Sequence, residues 1–72
     1  MKKGDQITIT IAGRRLEGEI ELASTNGRSL AVLFDEGVPA PFGIYGTKQI
    51  LLLLKEGDRW RDIQGDRPVQ LL

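Results

Sequence analysis

The first third of the chain, ITITIAGRRLEGEIEL, alternates apolar and polar residues, turns, and alternates again. Ile7, Ile9 and Ile11 fall on one face of the first run, with Gln6, Thr8 and Thr10 on the other. After the break at Ala12 to Arg15, Leu16, Gly18, Ile20 and Leu22 share a face, and Glu17, Glu19 and Glu21 share the opposite one. A repeat of two marks strands with one dry and one wet side. No later segment carries a sustained helical repeat, so the expected class is all-β.

The alternation defines a first strand from Gln6 to Ile11 and a second from Leu16 to Ala23. Ser24 to Arg28 reads as a hairpin turn, because Asn26 and Gly27 tolerate the positive φ such turns require. A third strand runs from Ser29 to Phe34, closed by Asp35-Glu36-Gly37, and a loop follows from Val38 to Thr47. Lys48 to Lys55 is the fourth strand. Its Ile50–Leu54 core has good helix propensity, so a short helix is the rival there. Gly46 and Gly57 bracket a segment too short for a typical helix, which favours the strand. Arg59 to Ile63 makes the fifth strand, Gln64 to Pro68 breaks it, and Val69 to Leu72 is placed to close the sheet as a sixth. Five or six short antiparallel strands in a chain this small are best accommodated in a small barrel, because closure removes unpaired edges.

At 72 residues the chain has room for one domain, residues 1–72, and one modest core. A chain of this size buries only about 60% of the surface its unfolded form exposes. It holds no cysteine and no histidine, so it has no disulfide and no ligands for the usual zinc sites. No cofactor is expected. Ten basic residues balance ten acidic ones, which argues against a broad hold on a nucleic-acid backbone but leaves a local basic patch open. The start, MKKGDQ, carries no hydrophobic signal segment, and the longest apolar run, Ile50 to Leu54, is far too short to span a bilayer. A cytoplasmic setting without a membrane partner is the expectation.

The stretch GDQITITIAGRRLEGEIEL resembles the opening of SH3-like barrels and, more loosely, the KOW motif of ribosomal and transcription-elongation proteins. Gly-Asp precedes an alternating strand, a glycine-containing turn follows, and a second glycine begins the return strand. Gly4, Asp5, Gly13, Gly18 and Ile20 match in kind. The likeness covers roughly the first 22 residues and implies an SH3-like barrel. KOW segments carry lysines around the turn, whereas here Arg14 and Arg15 lead into a glutamate-rich strand. The resemblance therefore speaks to fold more than to RNA binding.

Three features are candidates for function. The loop Gly37 to Gly46 holds two prolines, three glycines and two of the four aromatic residues; loops on rigid sheets concentrate binding residues. Phe42 and Tyr45 are its candidate binding residues, the alternative being that Phe42, Ile44 and Tyr45 fold back to plug one barrel end. In an up-and-down strand order Arg14 and Arg15 lie at the same end as this loop. With Lys48 and Tyr45 they make the candidate nucleic-acid set; otherwise they are solvated and pair with Asp35 or Glu36. The strand Ile50, Leu51, Leu52, Leu53, Leu54 is apolar on both faces. One face fills the barrel and the other needs cover, so these residues, with Trp60, are the candidate oligomer interface, most simply of a two-fold dimer. The alternative cover is the C-terminal Val69–Leu72 segment, and Trp60 equally suits the core.

Catalysis has little to work with. Nucleophile–base pairs of the usual kinds are missing, Ser24, Thr25 and Ser29 lack an evident base, and no phosphate-cradling glycine loop precedes a helix. Glu17, Glu19 and Glu21 stand about 7 Å apart along a strand, too spread to converge on a metal ion. The chain reads as a non-catalytic barrel that binds another protein or itself; the competing reading is a nucleic-acid-binding barrel.

Overall fold

Ala12 and Gly13 both adopt positive φ, 49° and 76°, the left-handed pair that a two-residue hairpin turn needs. This tight turn ends β1 (Gln6–Ile11) and starts β2 (Arg14–Ala23) two residues before the alternation becomes readable. Arg14 and Arg15 are therefore strand residues rather than turn residues. The next turn is held by the Ser24 hydroxyl, whose Oγ accepts the backbone N–H groups of Arg28 at 3.1 Å and Ser29 at 3.0 Å. It delivers β3 (Ser29–Phe34), with the bounds expected from the turns on either side. Then follow β4 (Gly43–Tyr45), β5 (Lys48–Glu56), β6 (Arg59–Asp62) and β7 (Arg67–Leu71).

The computed structural model describes residues 1–72 and contains only strands, turns and loops. All pairings are antiparallel, and β1–β2–β3–β5–β6–β7 form a ring that closes where β7 meets β1. The expected all-β barrel is what the chain forms, with six strands in the ring and one outside it. That seventh strand, β4, pairs with Lys48–Ile50 of β5. It lies inside the stretch read as a plain loop, since three residues are too few to show a repeat. Residues 50–54 form no helix; β5 is paired along both edges, with β3 on one side and β4 then β6 on the other. The C-terminal segment closes the sheet between β1 and β6 and so does not lie over β5. No helix is long and apolar enough to cross a membrane.

The core is one cluster in which Ile7, Ile9 and Ile11 of β1 meet Ile20, Val32, Leu51, Leu53, Trp60 and Val69 across the barrel. Two local departures shape it. At Gly18 a Cβ would stand 2.7 Å from the Leu33 carbonyl oxygen and 2.7 Å from Phe34 Cε1. A strand glycine ordinarily costs about 0.5–1 kcal/mol against alanine. Here its missing side chain is the space that lets Phe34 bury itself, to 2% exposure, for about 1.5–3 kcal/mol.

The second departure is a break in register between Ile20 and Leu22. Period two would send Leu22 inward with Leu16, Gly18 and Ile20. The extra residue of the bulge instead turns Leu22 outward, opposite Ala31, and leaves it 67% exposed.

Gly18→Ala is expected to lower unfolding free energy by about 1–3 kcal/mol through overpacking against a backbone that cannot yield. Chemical denaturation checks this, and an unchanged midpoint contradicts the Phe34 packing.

Candidate functional site

Strand register sets the outer face of β2, β3 and β5. Leu22 stands opposite Ala31, and Ala31 opposite Leu52. The row then continues to Ile63, whose N–H donates to the Leu52 carbonyl. Leu22, Leu52 and Ile63 are 67%, 38% and 45% exposed, while Ala31, low between two larger neighbours, is 8% exposed. One row above, Leu33 faces Ile50; one row below, Ser29 faces Leu54. The result is an apolar band across one side of the barrel. Apolar residues scattered singly on a surface need no explanation; here Leu22, Leu52 and Ile63 adjoin one another, while Ala31 and Leu33 lie buried between their neighbours.

Closure divides the predicted interface residues. Leu51, Leu53 and Trp60 point inward and belong to the core, so they are unavailable to a partner. Ile50, Leu52 and Leu54 point outward. Sequence alone left open which alternate set would face out; the register of β5 against β3 decides it.

The 37–46 loop divides in a similar way. Phe42 packs half-buried against the core, and Val38 is buried with its N–H donated to Gln49 Oε1 at 2.9 Å. These two residues plug the barrel end. Ile44 and Tyr45 do not join them: they are 67% and 53% exposed. Tyr45 shares the outer face with Ile50 through the β4–β5 register, and its hydroxyl lies 3.4 Å from Glu21 Oε1 on β2.

The basic residues do not assemble into one patch. Arg14 and Arg15 are successive strand residues and project from opposite faces. Arg14 reaches the start of the loop, donating to the Gly37 carbonyl at 3.4 Å. Neither arginine pairs with Asp35 or Glu36. Asp35 is held instead by Lys48, with Nζ 2.6 Å from Oδ1. This hydrogen bond and the charge of Asp35 raise the Lys48 pKa above its ordinary 10.5, with Glu19 adding a smaller push in the same direction.

A second centre escaped the sequence reading. Asp62 is the one charged side chain buried completely, at 0% exposure. Its Oδ2 accepts from Arg67 Nε at 3.0 Å and Nη2 at 2.8 Å, and from the Gly65 N–H at 3.2 Å. Its Oδ1 accepts from the Gln64 N–H at 3.2 Å. Arg67 spends its remaining donors on the loop: Nη1 to the carbonyls of Pro39 and Ala40 at 2.9 and 3.0 Å, Nη2 to that of Pro41 at 2.8 Å. Any Cβ at Gly65 would meet Arg67 Nε at 2.5 Å, so only glycine admits this approach. Asp62 orients Arg67, and Arg67 straps the proline-rich loop over the barrel end. The contact spans 26 to 28 residues of chain, a separation that no local motif reveals.

Glu17, Glu19 and Glu21 line β2 without forming a group of ligands that could hold a metal ion. The architecture is that of a small closed antiparallel β-barrel carrying one strapped loop and one apolar outer band. No family model, curated protein or solved structure matches the chain.

Arg67→Met is expected to cost about 3–5 kcal/mol, because it strands a buried carboxylate. Arg67→Lys should recover only part of this, since one ammonium cannot reproduce five hydrogen bonds held by a planar fork. Denaturant midpoints test both, and a Lys variant as stable as the native chain contradicts the strap. In an NMR titration Lys48 should deprotonate above 10.5, and above its own value in an Asp35→Asn variant. Because the folded value is raised, the pair's stabilisation is present below the unfolded value and disappears as pH climbs through the folded one.

Proposed function

We propose that this chain is a non-catalytic, SH3-like barrel that acts as a protein-interaction module through the outer face of β2, β3 and β5. One observation carries the reading: Leu22, Leu52 and Ile63 form an exposed apolar row on an outer face that the chain covers only in part, where Tyr45 reaches across to Glu21. Apolar contact would supply the affinity, and the charged residues at its edge, Glu19, Glu21 and Lys48, would set orientation. The bulge at Glu21–Leu22 fits this role, since it places on the surface a leucine that regular pairing would bury. SH3-like character is supported by the size, the antiparallel order and the Gly-Asp opening. The non-catalytic reading is supported by Asp62, the one buried carboxylate, whose oxygens are already taken up by Arg67 and backbone N–H groups. A cytoplasmic setting belongs to the same proposal.

The nucleic-acid reading draws no support from the arrangement of Arg14, Arg15, Lys48 and Tyr45. Arg14 and Lys48 are occupied within the chain, and the two arginines diverge.

A photo-crosslinking residue installed at Leu22 is expected to trap protein adducts in source-cell lysate, whether of a second copy or of another protein. The same residue at Gln70, exposed on β7 across the barrel, is the control. Adducts from position 22 and not 70 are the expected result; equal or absent labelling contradicts the assigned face.

A further inference from the structure

We infer that the occupant of this face is a second copy of the chain, docked about a two-fold axis parallel to β3 and β5 so that β3 of each copy lies over β5 of the other. The inference rests on the interaction-face reading above and adds the partner and its register.

The argument is the complementarity of two neighbouring strands. Four successive outward rows join β3 to β5: Ser29 with Leu54, Ala31 with Leu52, Leu33 with Ile50, and Asp35 with Lys48. A two-fold axis running between these strands exchanges them. Leu54 of one copy then meets Ser29 of the other, and Leu52 meets Ala31, so a large side chain enters the space above a small one in two consecutive rows. Leu33 is only 7% exposed beneath its neighbours, so its row with Ile50 adds little and the contact rests on the other three. Lys48 meets Asp35, so each charged residue faces its opposite and the ion pair becomes a four-membered network. Every row is matched by its own reversal, which is the condition for an isologous contact.

An axis running across the strands does worse. It lays β5 on β5 and sets Leu52 against Leu52, Ile50 or Leu54, large on large, wherever along the strands it passes. The outward rows of β1 offer no alternative, since Gln6, Thr8 and Thr10 are polar. Barrel faces are convex, so the contact concentrates on β3 and β5 and falls below the standard size of about 800 Å² per partner. As in other small interfaces, a weak dimer is expected, with dissociation on the order of micromolar or weaker.

Sedimentation equilibrium from about 1 μM to about 1 mM is the test, run on the native chain, on Ala31→Leu, on Leu52→Ala, and on an equimolar mixture of the two variants. The native chain should dimerise, and each variant alone should weaken the dimer about tenfold or more. Ala31→Leu sets leucine on leucine, whereas Leu52→Ala sets alanine on alanine. The mixture should regain native affinity, because a heterodimer restores a large-on-small contact in both halves. The double variant Ala31→Leu/Leu52→Ala conserves volume and should also dimerise like the native chain, which keeps the test open if one single variant misfolds. A native chain monomeric throughout overturns the inference, and so does a dimer indifferent to these changes or one the mixture fails to restore. Adducts of another protein at position 22 alongside a monomeric chain would retain the interaction face and remove only the self-docking.

Discussion

Pairing of β3 with β5 is the contact on which the rest of this molecule depends. It joins residues 29–34 to 49–54 and, together with the β7–β1 pairing, leaves the six strands a ring without an open edge. A ring this small has an interior just wide enough for side chains to fill, so it accepts alternate residues of each strand and no more. Leu51 and Leu53 take the interior, and Ile50, Leu52 and Leu54 are left outside. Strands apolar on both faces are ordinary in sheets covered on both sides. Here the chain fills the inner side and covers the outer one only in part, so the exposed Leu22, Leu52 and Ile63 are a consequence of closure.

The barrel end is finished by a different kind of chemistry. The loop that crosses it has prolines at 39 and 41, which offer carbonyl acceptors but no N–H. Such a segment cannot satisfy itself by joining a ladder. Arginine carries five donors and no acceptor, and Arg67 delivers three hydrogen bonds to consecutive carbonyls of this loop and two to Asp62. A buried ion pair is weak evidence for net stability, because desolvation offsets attraction. Its role here is geometric: it fixes where the loop lies, keeps Val38 and Phe42 over the core, and so sets the position of β4 and Tyr45.

Much of the barrel was legible in the chain because period two is local. β1 and β3 could be bounded to the residue, and the strand character of 48–55 followed from its length and its glycine brackets. Leu22 was not legible, since a bulge shifts the face of every residue beyond it without altering the alternating pattern. The strand Gly43–Tyr45 was hidden by its brevity and by the glycines around it. Asp62 and Arg67 looked like ordinary turn charges, and only the fold brings Arg67 to carbonyls more than 25 residues away. The apolar character of Ile50–Leu54 was plain, but which half faces out is a property of the closed ring.

The claim that closure sorts β5 into an inner and an outer set is tested most directly by two adjacent substitutions, Leu51→Glu and Leu52→Glu, compared by thermal unfolding followed by circular dichroism. The structure requires Leu51→Glu to abolish the cooperative transition, because a carboxylate would enter a fully buried site, while Leu52→Glu keeps the β-sheet spectrum and unfolds cooperatively near the native midpoint. If the two variants are equally damaged, or if Leu52→Glu is the one that unfolds, the sheet is not closed as described.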